Sequence, residues 1–177
     1  MKKLIFPVAI GATLFFSAFT TITSMNWKIA DGYSVKFTSK DPSGVFTSLK
    51  GDIAFDANNL ATAKANLVID VASINTGNGM QNNKAKNDSW FNADKYPTIK
   101  FTSSKFAKTA TGYQVTGTME IKDVKKEVTI PFTFANNTFA ASFMINRIDY
   151  HVGNTEGMNA HASTDLKIDV SIPVTQQ

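Results

Sequence analysis

The stretch YQVTGTMEIKDVKKEVTIPFTF, residues 113–134, decides the fold of this chain. In its first half every second residue from 113 to 121 is apolar or small, and the same pattern returns from 128 to 134. A period of two is typical of a β-strand with one buried side, because successive side chains point to opposite faces. Residues 122–125, three of which are charged, separate the two runs and favour a tight turn, so the stretch predicts a β-hairpin.

The same alternation continues in both directions from this hairpin and gives about eight strands in all. Short turns between neighbours indicate antiparallel pairing, and one-sided apolar faces must meet either in a closed barrel or in a sandwich. Several strands of about 9 to 12 residues favour the barrel. We therefore predict an all-β fold, an eight-stranded antiparallel barrel with a short helical insertion. The further strands are predicted near residues 33–37, 45–55, 61–71, 98–106, 139–145 and 166–174.

The inward positions of these strands mix bulky side chains with small ones. Small residues at inward positions leave room either for an apolar cavity or for bulky neighbours such as Phe55, Phe132 and Phe143. The sequence leaves both interpretations open. The small inward residues are Gly51, Ala61, Ala63, Ala65, Gly117 and Ala141.

One long run, SINTGNGMQNNKAKNDSWFNADKYPTIKF at residues 73–101, interrupts the strands. Strand connections in all-β domains usually have about 2 to 5 residues, so this insertion needs a structural or functional reason. Residues 80–87 contain no β-branched side chain and favour a helical turn or two. Trp90, Phe91 and Tyr96 follow, and they form either a lid over a cavity or a plug that closes one end of the barrel.

The N-terminus has the pattern of a secretory signal peptide. Lys2 and Lys3 precede an apolar run over residues 4–19 that is shorter than a membrane span, and small and hydroxyl residues follow. We predict a cleaved signal peptide at residues 1–24 and a single barrel domain at 25–177. The domain is then expected in the periplasm or outside the cell.

Composition narrows the classes of function. The absence of cysteine excludes disulfides, a thiol nucleophile and a lipid anchor on cysteine. Loss of the two signal-peptide lysines lowers the net charge from +4 to +2, and the remaining lysines alternate with acidic residues. No nucleic-acid partner is expected from such a charge pattern.

Short motifs in fixed order give the chain a family resemblance. The chain resembles the YceI-like family of extracytoplasmic, lipocalin-like proteins from residue 27 to residue 174. Each motif alone is weak, but their order and spacing are specific. The motifs are GVF (44–46), GDIAFD (51–56), SINTG (73–77), WFN (90–92), YPTIKF (96–101), GTMEIKDV (117–124) and INRIDY (145–150).

The resemblance implies a barrel that accommodates a long isoprenoid or a similar amphiphilic lipid in an apolar interior. The chain departs from the family pattern at Gln81–Asn82 and at residues 84–87, where charged residues are usual, so the identity of the lipid stays open. We predict that the protein carries, stores or sequesters such a lipid. The predicted ligand-binding residues are Phe37, Leu49, Ile53, Leu67, Ile69, Trp90, Phe91, Phe101, Met119, Ile121, Phe132, Phe143 and Arg147.

Arg147 and Asp149 lie two residues apart at a predicted strand end, so their side chains share one face. Arg147 then either clamps a phosphate or quinone headgroup at the barrel mouth or forms, with Asp149, a structural ion pair that ties the strand end to the long insertion. The ion pair is the favoured interpretation, because Asp149 would repel an anionic headgroup.

The sequence offers little for catalysis. It has no G-x-S-x-G turn, H-E-x-x-H pair or glycine-rich phosphate loop, and nothing fixes His151 and His161 around a metal. We expect no enzyme, no metal and no cofactor other than a bound isoprenoid or quinone-like lipid. A transient membrane contact and a homodimer are left open. The alternative function is that of a filled-core barrel acting as a stress-associated interaction module.

Overall fold

The computed structural model describes residues 25–177, apart from the side chain of Met158. The predicted signal peptide, residues 1–24, lies outside the described residues. The regular elements are β1 (Asn26–Ile29), β2 (Ser34–Thr38), β3 (Gly44–Phe46), β4 (Leu49–Ala54), β5 (Lys64–Asp70), β6 (Ile74–Asn75), α1 (Gly79–Lys86), β7 (Thr98–Thr109), β8 (Gly112–Ile121), β9 (Val124–Ala135), β10 (Thr138–Asn146) and β11 (Asp165–Gln176). Four short 3₁₀ helices occupy Leu60–Thr62, Val71–Ser73, Arg147–Tyr150 and Gly157–Asn159.

These strands form a closed antiparallel barrel with eight staves, where a stave is one of the eight strand positions around the wall. Three staves are interrupted, so that β1 continues as β2, β3 as β4, and β5 as β6. The barrel closes because β11 pairs with β10 on one side and with β1 and β2 on the other. The predicted eight-stranded barrel is confirmed.

Two departures from strict alternation were not visible in the sequence. The strand predicted at 61–71 is shorter, because Ala61 lies in one 3₁₀ helix and Val71 in another. In β7 the register with β8 shifts between Ser103 and Lys105. This bulge adds one residue, and Phe106 consequently packs against the core on the same side as Phe101.

One end of the barrel is filled by an aromatic floor. Phe55, directly after β4, is 1% exposed, and the Trp27 indole donates a hydrogen bond to its carbonyl at 2.8 Å. Five rings carried by β7 to β10 surround Phe55, with centroid distances of 5.2 to 6.1 Å. These rings belong to Phe106, Tyr113, Phe132, Phe134 and Phe139.

The wall is least continuous between β9 and β10. These strands pair only over residues 132–135 and 138–141, beside a two-residue turn, whereas β8 and β9 pair along their whole length. In an antiparallel pair, every second residue of a strand donates a backbone hydrogen bond to the same neighbouring strand. Pro131 occupies the position at which the next N–H of β9 would donate to β10. Proline has no N–H, and the pairing ends there. We call this unpaired stretch the β9–β10 seam.

The insertion contains the predicted helix, α1, with no buried residue. The Asn78 side chain caps its start by accepting from the backbone N–H groups of Met80 and Gln81, at 2.9 and 3.2 Å. In the described part of the chain no helix has the length and apolar character needed to cross a membrane.

Candidate functional site

A cavity of about 350 Å³ lies in the barrel interior above the aromatic floor. Its wall is almost entirely apolar and draws side chains from all eight staves. All thirteen residues predicted to bind the ligand line this cavity, although contact with a ligand stays a prediction. They are Phe37, Leu49, Ile53, Leu67, Ile69, Trp90, Phe91, Phe101, Met119, Ile121, Phe132, Phe143 and Arg147.

The small inward residues serve both roles that the sequence left open. Ala65 and Ala141 line the cavity. At Gly117, by contrast, an added Cβ would lie 2.8 Å from the Phe101 ring and 2.5 Å from the Thr102 carbonyl oxygen. Gly117 therefore makes room for a neighbouring ring and strand and does not enlarge the cavity.

Sequence reasoning missed two groups of lining residues. The first group lies on the same strand faces as the predicted residues, so the alternation of the strands could have identified it. Examples are Val35, Ile99, Val115, Ile130 and Phe139. The second is polar, comes from loops and from α1, and gathers at the end of the cavity opposite the floor. It includes Asp41, Thr76, Gln81, Lys84, His161 and Ser163.

The aromatic residues after α1 close the polar end of the cavity. Trp90 is 9% exposed, and Phe91 packs edge-on against Phe46 with ring centroids 6.2 Å apart. A backbone hydrogen bond from the Phe91 N–H to the Ala85 carbonyl at 3.0 Å holds this segment against α1. Tyr96 is half-buried and does not line the cavity.

Arg147 does not pair with Asp149, so the favoured ion-pair interpretation is wrong. Both residues lie in the 3₁₀ helix after β10, where neighbours two apart do not share a face. Asp149 instead forms an ion pair with Lys126 of β9 at 3.1 Å, and this contact bridges the two sides of the β9–β10 seam.

Arg147 is a buried cation, 4% exposed, whose partners are main-chain carbonyls. Its guanidinium donates from Nε to Ser163 at 2.9 Å, from Nη1 to Val152 at 2.8 Å, and from Nη2 to Asn154 and Ala162 at 3.0 and 3.1 Å. Burial lowers the pKa of Arg147 from its ordinary value, yet a guanidinium stays charged in proteins. Arg147 thus organises the loop between β10 and β11.

The guanidinium also stacks on Trp90, with Cζ 4.8 Å from the ring centroid. Gly153 passes close to this pair, because a Cβ added there would lie 2.7 Å from Nη1 of Arg147 and 3.2 Å from the indole. Arg147 therefore ties the β10 end to the insertion, as expected, but through stacking and not through an ion pair.

The two histidines do not form a catalytic arrangement with a serine among the described residues. Nδ1 of His151 lies 3.4 Å from Asp123 at an exposed position, and His161 lies at the polar end of the cavity. Within residues 25–177, as far as they are described, no three His, Cys, Asp or Glu side chains are close enough to hold a metal.

A family model described as YceI-like domain matches residues 17–174. A UPF0312 protein of Photorhabdus laumondii is 35% identical over 85 residues, which cover 48% of this chain and 44% of that protein. The chain thus spans less than half the length of this curated relative.

Two solved structures share the fold. BcnA of Burkholderia cenocepacia superposes with a TM-score of 0.73 at 31% identity, over 81% of this chain and 96% of that one. A polyisoprenoid binding domain from Saccharophagus degradans gives a TM-score of 0.61 at 17% identity, over 88% and 100% of the two chains. At that identity the second likeness shows the fold alone.

Proposed function

The chain belongs to the YceI-like family, and from that membership and its cavity we propose that it binds a long apolar or amphiphilic lipid, of the isoprenoid class, inside the barrel. The observation that carries this proposal is the closed barrel whose apolar interior is unfilled over about 350 Å³. That volume lies at the lower end of the range of small-molecule sites, roughly 300 to 1,000 Å³. The ligand class is the one that the family resemblance implies, and a protein with the same fold is described as a polyisoprenoid binding domain.

The physical driving force is the removal of the tail from water. Burial contributes about 0.8 kcal/mol per methylene and needs no hydrogen bonds, so an apolar wall is sufficient for a tail. With the predicted signal peptide, this favours a carrier or store of lipid outside the cytoplasm and not an enzyme. The filled-core alternative is disfavoured, because only the floor around Phe55 is filled.

Native mass spectrometry of gently purified protein tests the proposal. We expect a population heavier than the chain by the mass of a lipid, and the same lipid in an organic extract. Recovery of the lipid-free mass alone, with no binding of added farnesol or tetradecanol, would contradict it.

A cavity-filling variant gives a sharper test. Met119 is buried in the cavity wall, whereas Met144 on β10 is 64% exposed on the outer surface. Met119→Trp should fold and weaken lipid binding at least tenfold, since the larger side chain occupies tail volume. Met144→Trp, the matched control, should bind normally. If the interior were packed, Met119→Trp would instead cost about 1 to 3 kcal/mol of stability.

A further inference from the structure

The polar end of the cavity contains a cation without an anionic partner. No acidic side chain of the described residues lies within 4.0 Å of the Arg147 guanidinium. Asp149, two residues along the chain, pairs with Lys126. Four of the five guanidinium N–H groups donate to neutral carbonyls, and the fifth, on Nη1, has no acceptor in the described structure. A buried charge in this state gains strongly from an anion, because little water screens it.

Trp90, which stacks on Arg147, supplies a second hydrogen-bond donor without an acceptor. Its indole Nε1–H is buried and is the one buried side-chain polar group without a hydrogen-bond partner in the described part of the chain. A buried donor left without an acceptor is costly, so an oxygen atom that reaches it gains a full hydrogen bond. Because the Arg147 Cζ lies 4.8 Å from the Trp90 ring centroid, one headgroup can span both donors.

The buried charge of the lining favours a single negative charge on that headgroup. Among the charged and titratable side chains of the wall, Arg147 is buried, whereas Asp41, Lys84 and His161 are exposed, so Arg147 supplies the one buried positive charge at this end. A monoanion neutralises this end, whereas a phosphate with two charges would leave a buried excess of negative charge.

The cavity volume is sufficient for the tail of a single-chain amphiphile. A methylene is close in size to a water molecule, which takes about 30 Å³ in the liquid, so 350 Å³ accommodates at least about a dozen such groups. The chain can be straight or isoprenoid.

We propose that Arg147 and Trp90 form a headgroup site for the carboxylate of a single-chain amphiphile, whose tail lies in the apolar cavity. This inference rests on the proposed function, since the tail occupies the same cavity. Gln81 and Lys84 of α1 lie at this end too. The chain's departure from the family pattern in α1 therefore falls beside the proposed headgroup.

Calorimetric titration at pH 7.5 with matched ligands tests the headgroup site. Tetradecanoate and farnesoate should each bind at least tenfold more tightly than tetradecanol and farnesol, and tetradecylamine should bind most weakly. The two pairs separate a fatty carboxylate from an isoprenoid one. Alcohols that bind as well as the carboxylates would overturn the headgroup site and leave the proposed function intact. Tetradecyl phosphate that binds more tightly than tetradecanoate would overturn the choice of a carboxylate. Failure of every ligand would refute the proposed function itself.

Variants assign the preference to its residues. Arg147→Gln should abolish the preference for the carboxylate over the alcohol, with circular dichroism as the check on folding. Trp90→Phe keeps an aromatic ring for stacking and removes the unpartnered N–H together with part of the indole, so it should fold and lose about tenfold in carboxylate affinity. Lys126→Gln is the matched control, because it removes a nearby cation that already pairs with Asp149 and does not line the cavity. An unchanged preference in Trp90→Phe, or a preference lost in Lys126→Gln, would overturn the assignment.

Discussion

Replacing Phe55 by alanine should reveal how firmly the floor of the barrel is built. Phe55 is 1% exposed, and its five ring partners are anchored on four different strands. Those rings cannot collapse into the void without moving the wall, so the loss should fall in the upper part of the range for Phe→Ala, about 4 to 5 kcal/mol. For a domain of this length that corresponds to a drop in Tm of roughly 8 to 20 °C.

The assay is urea denaturation followed by tryptophan fluorescence, with two variants for comparison. Phe55→Leu preserves most of the volume and should cost less than about 1.5 kcal/mol. Phe91→Ala removes a half-buried ring with Phe46 as its ring neighbour, and should cost clearly less than Phe55→Ala. If Phe55→Ala costs no more than Phe91→Ala, the floor is not the rigid packed layer that the ring distances imply.

Two further predictions concern the wall and its charges. Pro131→Thr restores an N–H at the β9–β10 seam, so the pairing of β9 with β10 should extend beyond residue 132. The backbone amide of Met144 should then exchange with deuterium at least tenfold more slowly. Unchanged exchange would show that Pro131 is not the cause of the seam. Hydrogen bonds from Lys167 and Ser142 hold the pKa of Asp169 below its usual value. The ionised Asp169 carboxylate therefore stabilises the folded state fully above the pKa of aspartate in the unfolded chain, near 4. This stabilisation disappears as the pH falls through the pKa of Asp169 in the folded state. Asp169→Asn should therefore lose less of its urea midpoint between pH 7 and pH 3 than the unaltered protein, and an equal loss would contradict this account.

The sequence predicted the barrel and its lining well because both depend on one simple constraint. In a closed barrel each strand has an inner and an outer face, so the parity that places Met119 inside also places Ile121 inside. Parity fails only where the backbone leaves the regular strand. The bulge near Ser104 and the 3₁₀ helix that contains Val71 are such places, and no side-chain pattern announces either of them.

The polar end of the cavity follows no such constraint. The Arg147 partners are main-chain carbonyls, which every residue possesses, so no residue type in the sequence pointed to them. The sequence suggested Asp149 because opposite charges two residues apart share a face on a strand. The chain forms a 3₁₀ helix there, and Asp149 turns instead to Lys126.

This difference has a consequence for how the protein distinguishes ligands. Under the proposed function, the tail would contact many apolar side chains that are interchangeable in kind, so a conservative change such as Ile121→Val should remove little affinity for any one tail. The proposed headgroup site would instead depend on one stacked pair: Arg147 is the one buried charged side chain of the described residues, and Trp90 has their one unpartnered buried side-chain donor. Volume would then select the length of the tail gradually, whereas the pair would select the chemistry of the headgroup sharply. The preferred tail could therefore change by small steps along the wall, but a new headgroup would require rebuilding the loop that Arg147 holds together.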